Sequence, residues 1–566
     1  MRALPRPDSR VLIPLAAAGL LLYLVGFPLA MLLLGSVSVE GEVTKGLTLA
    51  NYIETYSSPR TYTLLLNSVL YSLGSSLLAL TLGTGLAWIV ERTNTPGRRA
   101  FFALSLVPLI VPGVVSTIAW IFLLSGQIGV INRAAMAVFG LESAPFSIFT
   151  LGGMIWAEGL HLSPLVFLVM SAAFKSMDPS LEESALMSGA GTARTLRTVT
   201  LPILLPAFAS ASLIMFVRGL ESFEVPRLIG VPGRVPVFTS AIYSELHDYP
   251  PDFGGAGALA IGLLLISVVG VWAYQRLTRR AERYATVTGK AFRPRVLDLG
   301  RWRYAAAGGL VAYFLVIIGL PFGILLFASV IPFYIPSLEI LSRFTLDNYR
   351  FVFDHPSIQL AVRNSFLLGA TAATVTMGLT AIIAWITTKT RLPGRAGLDF
   401  IAFVPIAIPG LVLGVSMILQ YLSPAFRVLP IYGTLWILVV AYTTKYLPYG
   451  MRTNSAAMLQ IHKELEEAGA MSGASWWLMF RRITLPLLRP ALVAGWIYIF
   501  IVSVRELSAS VLLVTSESTV LAVVIFDLFE SGKSNAVAAL SVMLILTLLV
   551  IVAAVQRLTG RFGIKE

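Results

Sequence analysis

The chain has 566 residues, of which 57% are hydrophobic and 13% charged, with a net charge of +13 and no cysteine. Soluble globular chains carry about 25% charged residues, so the composition points to a protein held mostly in lipid. Disulfides, thiolate metal ligands and cysteine nucleophiles are excluded outright.

The first apolar block, Val11 to Leu34, follows Arg2, Arg6 and Arg10. It has the flanks of a signal peptide but is too long for a signal h-region, so a retained first helix is expected. Tyr62 to Val90 and, at the far end, Ala536 to Val555 are also near or beyond the roughly 20 residues a spanning helix needs. About twelve such blocks can be counted along the chain. Backbone polar groups must be satisfied inside lipid, and the short alternation of a barrel is missing, so the expected fold class is an all-α polytopic membrane protein. With the N-terminus in the cytoplasm, most Lys and Arg fall on cytoplasmic loops while Asp and Glu divide almost evenly. That bias orients the chain and makes the bilayer, not nucleic acid, the reason for the positive charge.

An internal repeat organises the blocks. Asn51-Tyr52, Asn67-Ser68, Ala87-Trp88, Pro96-Gly97-Arg98, Pro108 and Pro112-Gly113 recur with a constant shift of 297 as Asn348-Tyr349, Asn364-Ser365, Ala384-Trp385, Pro393-Gly394-Arg395, Pro405 and Pro409-Gly410. Further on the shift is 284, aligning Leu181-Glu182-Glu183 with Leu465-Glu466-Glu467 and Thr200-Leu201-Pro202 with Thr484-Leu485-Pro486. The first half thus holds 13 extra residues between Gly113 and Glu183. Two parallel halves of six helices each are expected, at 1–275 and 304–566, with both termini cytoplasmic. The joint, 276–303, carries Arg276, Arg279, Arg280, Arg283, Lys290, Arg293, Arg295, Arg301 and Arg303 against Glu282 and Asp298. A solvated linker drawn to lipid headgroups accounts for it better than a nucleic-acid site.

Each half has one long polar interruption between its fourth and fifth helices, 178–202 and 463–486. Acidic residues in a first turn complement the helix dipole, so a short helix is expected near Leu181, with Ser180 as its N-cap. Ala185, Ser188 and Gly189 share one small-residue face. Gly189 and Gly473 are placed to end the helix in a tight turn, and Pro202 and Pro486 to open the next spanning helix.

The pattern Glu183, Ala185, Gly189, Val199, Leu201, Pro202, repeated as Glu467, Gly469, Gly473, Ile483, Leu485, Pro486, resembles the EAA loop of ABC importer permeases. Ser184, Gly469 and Val199 depart from it by small or aliphatic replacements. The resemblance implies the type I ABC importer permease fold in an inner membrane. It also implies coupling helices that dock on two copies of an ABC ATPase subunit, and an external substrate-binding protein as a further partner. The chain itself should hold no cofactor: ATP and magnesium belong to the ATPase. Gly532-Lys533-Ser534 imitates a phosphate cradle, but Asp527 stands where its first glycine belongs.

Ionisable residues also occur at membrane depth: Glu158, Glu221, Glu224 and Glu506, with Arg218 and Arg505 near three of them. Such groups tend to face a bundle interior or a watery cavity, so Glu221, Glu224, Arg505 and Glu506 are expected along the outer part of a translocation pathway. The equally weighted alternative is that they form buried structural pairs. Glu158 and His161 share a helical face and are expected as a polar interface pair; no metal or catalytic constellation is expected. Arg505-Glu506-Leu507-Ser508-Ala509-Ser510 and Glu221-Ser222-Phe223-Glu224-Val225-Pro226, in a chain that fuses both halves, look like ferric-iron ABC permeases. Related permeases move thiamine, polyamines or phosphonates. An ion-coupled secondary transporter, the rival class, would leave the duplicated Glu-to-Pro loops unexplained.

Overall fold

The computed structural model describes residues 9–281, 296–334, 343–390, 392–426 and 428–561; the middle of the basic joint lies outside them. The first half folds as α1 (Ile13–Ser36), α2 (Ala50–Ser57), α3 (Pro59–Arg92), α4 (Arg98–Leu104), α5 (Gly113–Leu124), α6 (Val130–Phe139), α7 (Leu151–Ser176), α8 (Pro179–Met187), α9 (Leu196–Glu221), α10 (Phe238–His247) and α11 (Phe253–Ala281). The second half repeats the series as α12 (Trp302–Ser329), α13 (Asp347–Asp354), α14 (Pro356–Lys389), α15 (Arg395–Phe403), α16 (Gly410–Leu422), α17 (Leu435–Gln460), α18 (Lys463–Met471), α19 (Trp477–Val504), α20 (Leu521–Glu530) and α21 (Ser534–Arg561).

The fold is all-α. Among the described residues nine helices are long and apolar enough to cross a membrane, or eleven when each bent pair counts as one span. The bends, 99° between α4 and α5 and 110° between α15 and α16, fall at Pro112-Gly113 and Pro409-Gly410. The remaining segment of the repeat is α17, in register with α7 at 26 residues but carrying Lys445 and Arg452. The extra residues of the first half lie between α5 and α7, where α6 stands; the second half has the short turn Pro424–Phe426 there.

The repeated polar landmarks are chain-end devices. Asn51 donates to the carbonyls of Ser36 and Ser38, and Asn348 to those of Ser329 and Ile331, satisfying groups left open where α1 and α12 end. Asn67 donates to the Pro236 carbonyl and Asn364 to those of Glu517 and Thr519. Ser68 and Ser365, next in line, accept the backbone N–H of Phe238 and Leu521 at the first residues of α10 and α20. Gly97 and Gly394 enter α4 and α15 with φ of 78° and 85°, a left-handed turn that glycine makes without strain.

Four spanning helices, α1, α9, α12 and α19, contain a widened π turn, at Leu22–Gly26, Leu196–Thr200, Leu315–Gly319 and Phe480–Thr484. Each ends two residues before a proline: Pro28, Pro202, Pro321 and Pro486. Proline lacks an N–H and its ring crowds the carbonyl four residues back, so the preceding turn relaxes to a longer ring. Pro202 and Pro486 therefore stand at the start of the regular α-helical stretches Leu201–Glu221 and Leu485–Val504, just after the π turns.

Two compact units are formed, and they cut across the repeat. One comprises Met1–Ser58, Ile242–Leu265 and Pro356–Val524; the other Pro59–Ala241, Ile266–His355 and Ile525–Glu566. In the first unit Ala17, Leu21, Leu24 and Val25 of α1 pack on Ala381, Ala384 and Trp385 of α14 and Leu447 and Met451 of α17, and Thr444 donates to the Leu24 carbonyl. In the second, Leu310 and Phe314 of α12 pack among Leu86, Val90, Phe167 and Met215, with Phe314 stacked on Phe101 at 5.8 Å. Each half therefore lends its first helix to the other half's core. Lipid offers no hydrophobic drive between helices, so close backbone approach matters more. A Cβ on Gly83 of α3 would lie 2.6 Å from the Val166 Cβ of α7. At the equivalent crossing the glycine has moved to the other helix: a Cβ on Gly450 of α17 would lie 2.6 Å from Thr380 Oγ1 of α14.

Candidate functional site

The two Glu-to-Pro segments fold alike. Asp178 Oδ1 accepts the Ser180 N–H at 2.9 Å and Pro179 fills the first helical position, so Asp178, and not Ser180, caps α8. Both short helices end in the left-handed glycine expected: φ is 85° at Gly189 and 76° at Gly473. The Ala190 N–H reaches the Ala185 carbonyl at 3.0 Å and the Ala474 N–H the Gly469 carbonyl at 3.1 Å, which closes both C-termini. A Cβ on Gly469 would come within 2.8 Å of Ile483 Cδ1. The first half has Ala185 and Val199 at these two positions, so volume added at one site is removed at the other. Glu183, Glu467, Leu201, Pro202 and Pro486 are exposed, and Leu485 is half-buried. The helices also carry matched apolar knobs that residue-type reasoning passed over: Met187 and Met471 are each 90% exposed, Leu181 46% and Leu465 47%.

Glu182, the neighbour of the motif acid, is the buried one. Arg92, in the last turn of α3 and 1% exposed, donates to Glu182 Oε2, while Thr200 Oγ1 donates to Glu182 Oε1 at 2.6 Å. The doubled Glu-Glu opposite a basic residue ending the second long block was the available sequence signal. The described end of the joint docks beside this group. Leu297 N donates to the Arg92 carbonyl at 2.8 Å and Asn94 N to the Leu297 carbonyl at 3.1 Å, a short parallel bridge. Asp298 accepts from Gly300 N and the Asn94 amide, which hold its carboxyl below the usual carboxylate range.

The deep polar residues gather where α9 and α19 break off. In the second unit Ser222 Oγ donates to Glu158 Oε2 at 3.0 Å and takes a bond from Tyr71 OH at 3.1 Å. A Cβ on Gly113, at the bend before α5, would lie 3.6 Å from the Glu224 carboxyl and 3.8 Å from His161 Nε2. In the first unit Glu506 accepts from Lys445 at 2.6 Å, from Tyr446 OH at 3.1 Å and from Ala509 N at 3.2 Å. The ion partner of Glu506 is thus Lys445 of α17, at the position equivalent to His161, and not the adjacent Arg505. Arg505 and Arg218, with Glu221 and Glu224, are half-buried and each has interaction partners. No group of three or more His, Asp or Glu that could hold a metal occurs among the described residues. Gly532-Lys533-Ser534 is a turn between α20 and α21, with Gly532 at φ 77° and the Lys533 ammonium 5.0 Å from the Phe351 ring centroid.

A duplicated bundle of bent and broken spanning helices with one capped helical turn per half is the build of an importer's membrane component. The family model described as "Binding-protein-dependent transport system inner membrane component" matches residues 79–283 and again 377–563, and the chain belongs to that family as two fused copies. Among curated relatives, the putative ferric transport system permease protein FbpB 1 of Haemophilus influenzae is 28% identical over 77% of this chain and 68% of its own length. The Fe(3+)-transport system permease protein FbpB 2 of the same organism is 25% identical over 93% of this chain and 95% of its own. The molybdenum transport system permease protein ModB of Escherichia coli, 28% identical, spans 38% of this chain and 95% of itself, the length of one half.

Proposed function

We propose that this permease carries ferric iron, delivered by an external binding protein, into the cytoplasm, driven by two ATPase subunits docked on α8 and α18. The observation that carries the docking reading is the matched pair of capped helices presenting Leu181 with Met187 and Leu465 with Met471 to solvent. Helix-in-groove recognition reads an amphipathic helix through such exposed anchors. The positive-inside bias puts both turns, both termini and the joint on the cytoplasmic side. Ferric iron is favoured because several relatives that cover both halves are named for it. The molybdenum, sulfate and galactooligosaccharide permeases match only 37–39% of the chain. Glu221, Glu224, Arg505 and Glu506 belong on this reading to the outer part of the route, where acids ease entry of a cationic cargo without holding it.

The complex of permease, ATPase and binding protein in proteoliposomes should take up labelled ferric iron on addition of ATP. Uptake of molybdate, thiamine, a polyamine or a phosphonate in its place would move the substrate assignment. Changing Met187→Glu with Met471→Glu should release the ATPase from the purified permease; full retention would refute the docking face.

A further inference from the structure

The Arg92–Glu182–Thr200 group is built unlike a surface ion pair. Arg92 and Glu182 are both almost wholly shielded from solvent, at 1% and 6% exposure. Desolvating two charges is costly, and it is recovered only with good geometry and further hydrogen bonds, such as the one from Thr200. Removing either partner would leave the other charged and buried. The three residues come from three elements: the last turn of α3, the first turn of α8 and the π turn that opens α9. Helix α8 is thereby locked through Glu182 to two spanning helices while Leu181 and Met187 stay exposed. The bridge between Leu297 and residues 92–94 adds a fourth element, since that segment leads within a few residues into α12.

The second half does the same job by another bond. Lys389, the repeat equivalent of Arg92 and the last residue of α14, donates its Nζ to the Ile461 carbonyl at 2.7 Å. Ile461 ends α17 and stands two residues before α18. In both halves a cation at the end of the second long helix bonds within the short helix or just before it.

We propose that Arg92, Glu182 and Thr200 are positioning residues of the coupling step, the joint through which movement of α8 reaches α3, α9 and, through 297–300, α12. This rests on the reading of α8 as the docking turn. The test uses the full complex of permease, ATPase and binding protein in proteoliposomes. ATPase retention, ATP hydrolysis and iron uptake are measured for Glu182→Gln, Arg92→Met, Thr200→Val and Arg92→Lys. Glu182→Gln and Arg92→Met should keep the ATPase bound and hydrolysing while uptake per ATP falls about tenfold or more, the loss of a charge-assisted hydrogen bond. Thr200→Val should fall less, and Arg92→Lys, which keeps the cation found at Lys389, should recover most of the ratio. An intact complex with an unchanged ratio overturns the proposal, and so does a loss of uptake that merely tracks loss of complex, Arg92→Lys and Thr200→Val included. Failure of the docking reading looks different: there Met187→Glu with Met471→Glu keeps the ATPase.

Discussion

Replacing Gly189 and Gly473 isolates backbone geometry from packing at the turns that end α8 and α18. Both glycines are left-handed, at φ 85° and 76°, and a Cβ at either would have nothing within 4 Å. A larger side chain therefore meets no clash, and its cost is the left-handed backbone alone, about 1–2 kcal/mol per L-residue. A substituted turn escapes that cost by unwinding, which breaks the Ala190 to Ala185 and Ala474 to Gly469 bonds, and docking must then restore them. The two sites are independent copies, so the double change should weaken ATPase binding by about 2–4 kcal/mol, roughly 30- to 1,000-fold in Kd. Titrating the ATPase onto detergent-solubilised permease measures this. The expected order is Gly tightest, then Asn, which tolerates the left-handed region, then Ala, then Val. Equal affinity for Gly189→Val with Gly473→Val and the unchanged chain would refute the reasoning, and so would Asn binding as weakly as Val.

Changing Lys445→Met leaves Glu506 buried without its cation and should cost about 3–5 kcal/mol in thermal unfolding of the purified permease, much of it recovered in Lys445→Met with Glu506→Gln. Gly450→Val should destabilise by about 1–3 kcal/mol through overpacking against Thr380. Adding Thr380→Gly, which rebuilds the Gly83–Val166 crossing of the first half, should restore the melting temperature; no recovery would show the two crossings are not equivalent. In this cysteine-free chain, single cysteines in place of Ser180 and Ser472 should be labelled from the cytoplasm and one in place of Tyr249, 97% exposed, from outside. Outside labelling at Ser180 would reverse the topology.

The repeat was legible because its landmarks are turn and end-cap residues, whose roles need particular chemistry: Asn51 and Asn348, 297 residues apart, each bind two carbonyls at the end of the preceding long helix. The helix-ending glycines Gly189 and Gly473 were legible for the same reason. What sequence reasoning missed depends on which way a side chain points. Glu182 and Glu183 are neighbours of one residue type, and only the pitch of α8 sends one inward to Arg92 and the other into solvent. Likewise Arg505 stands next to Glu506 in sequence, but Glu506 sits at the helix break and faces α17, so Lys445 takes the bond. The exchange of first helices was hidden because α1 and α12 are long apolar blocks with no polar marker naming the core they join.

That exchange sets a timetable for biogenesis. A chain made from its N-terminus inserts α1 first, yet the residues α1 packs against, in α14 and α17, arrive only after some 350 residues have been made. The unit holding α3, α7 and α9 likewise waits for α12 and, at the end of synthesis, for Ile525–Glu566. For most of synthesis the membrane therefore contains helices whose partners do not yet exist. A chain that stops before residue 356 has a first helix that lacks its α14 and α17 partners. Joining both halves in one polypeptide keeps that waiting helix tethered to the segments that complete its core.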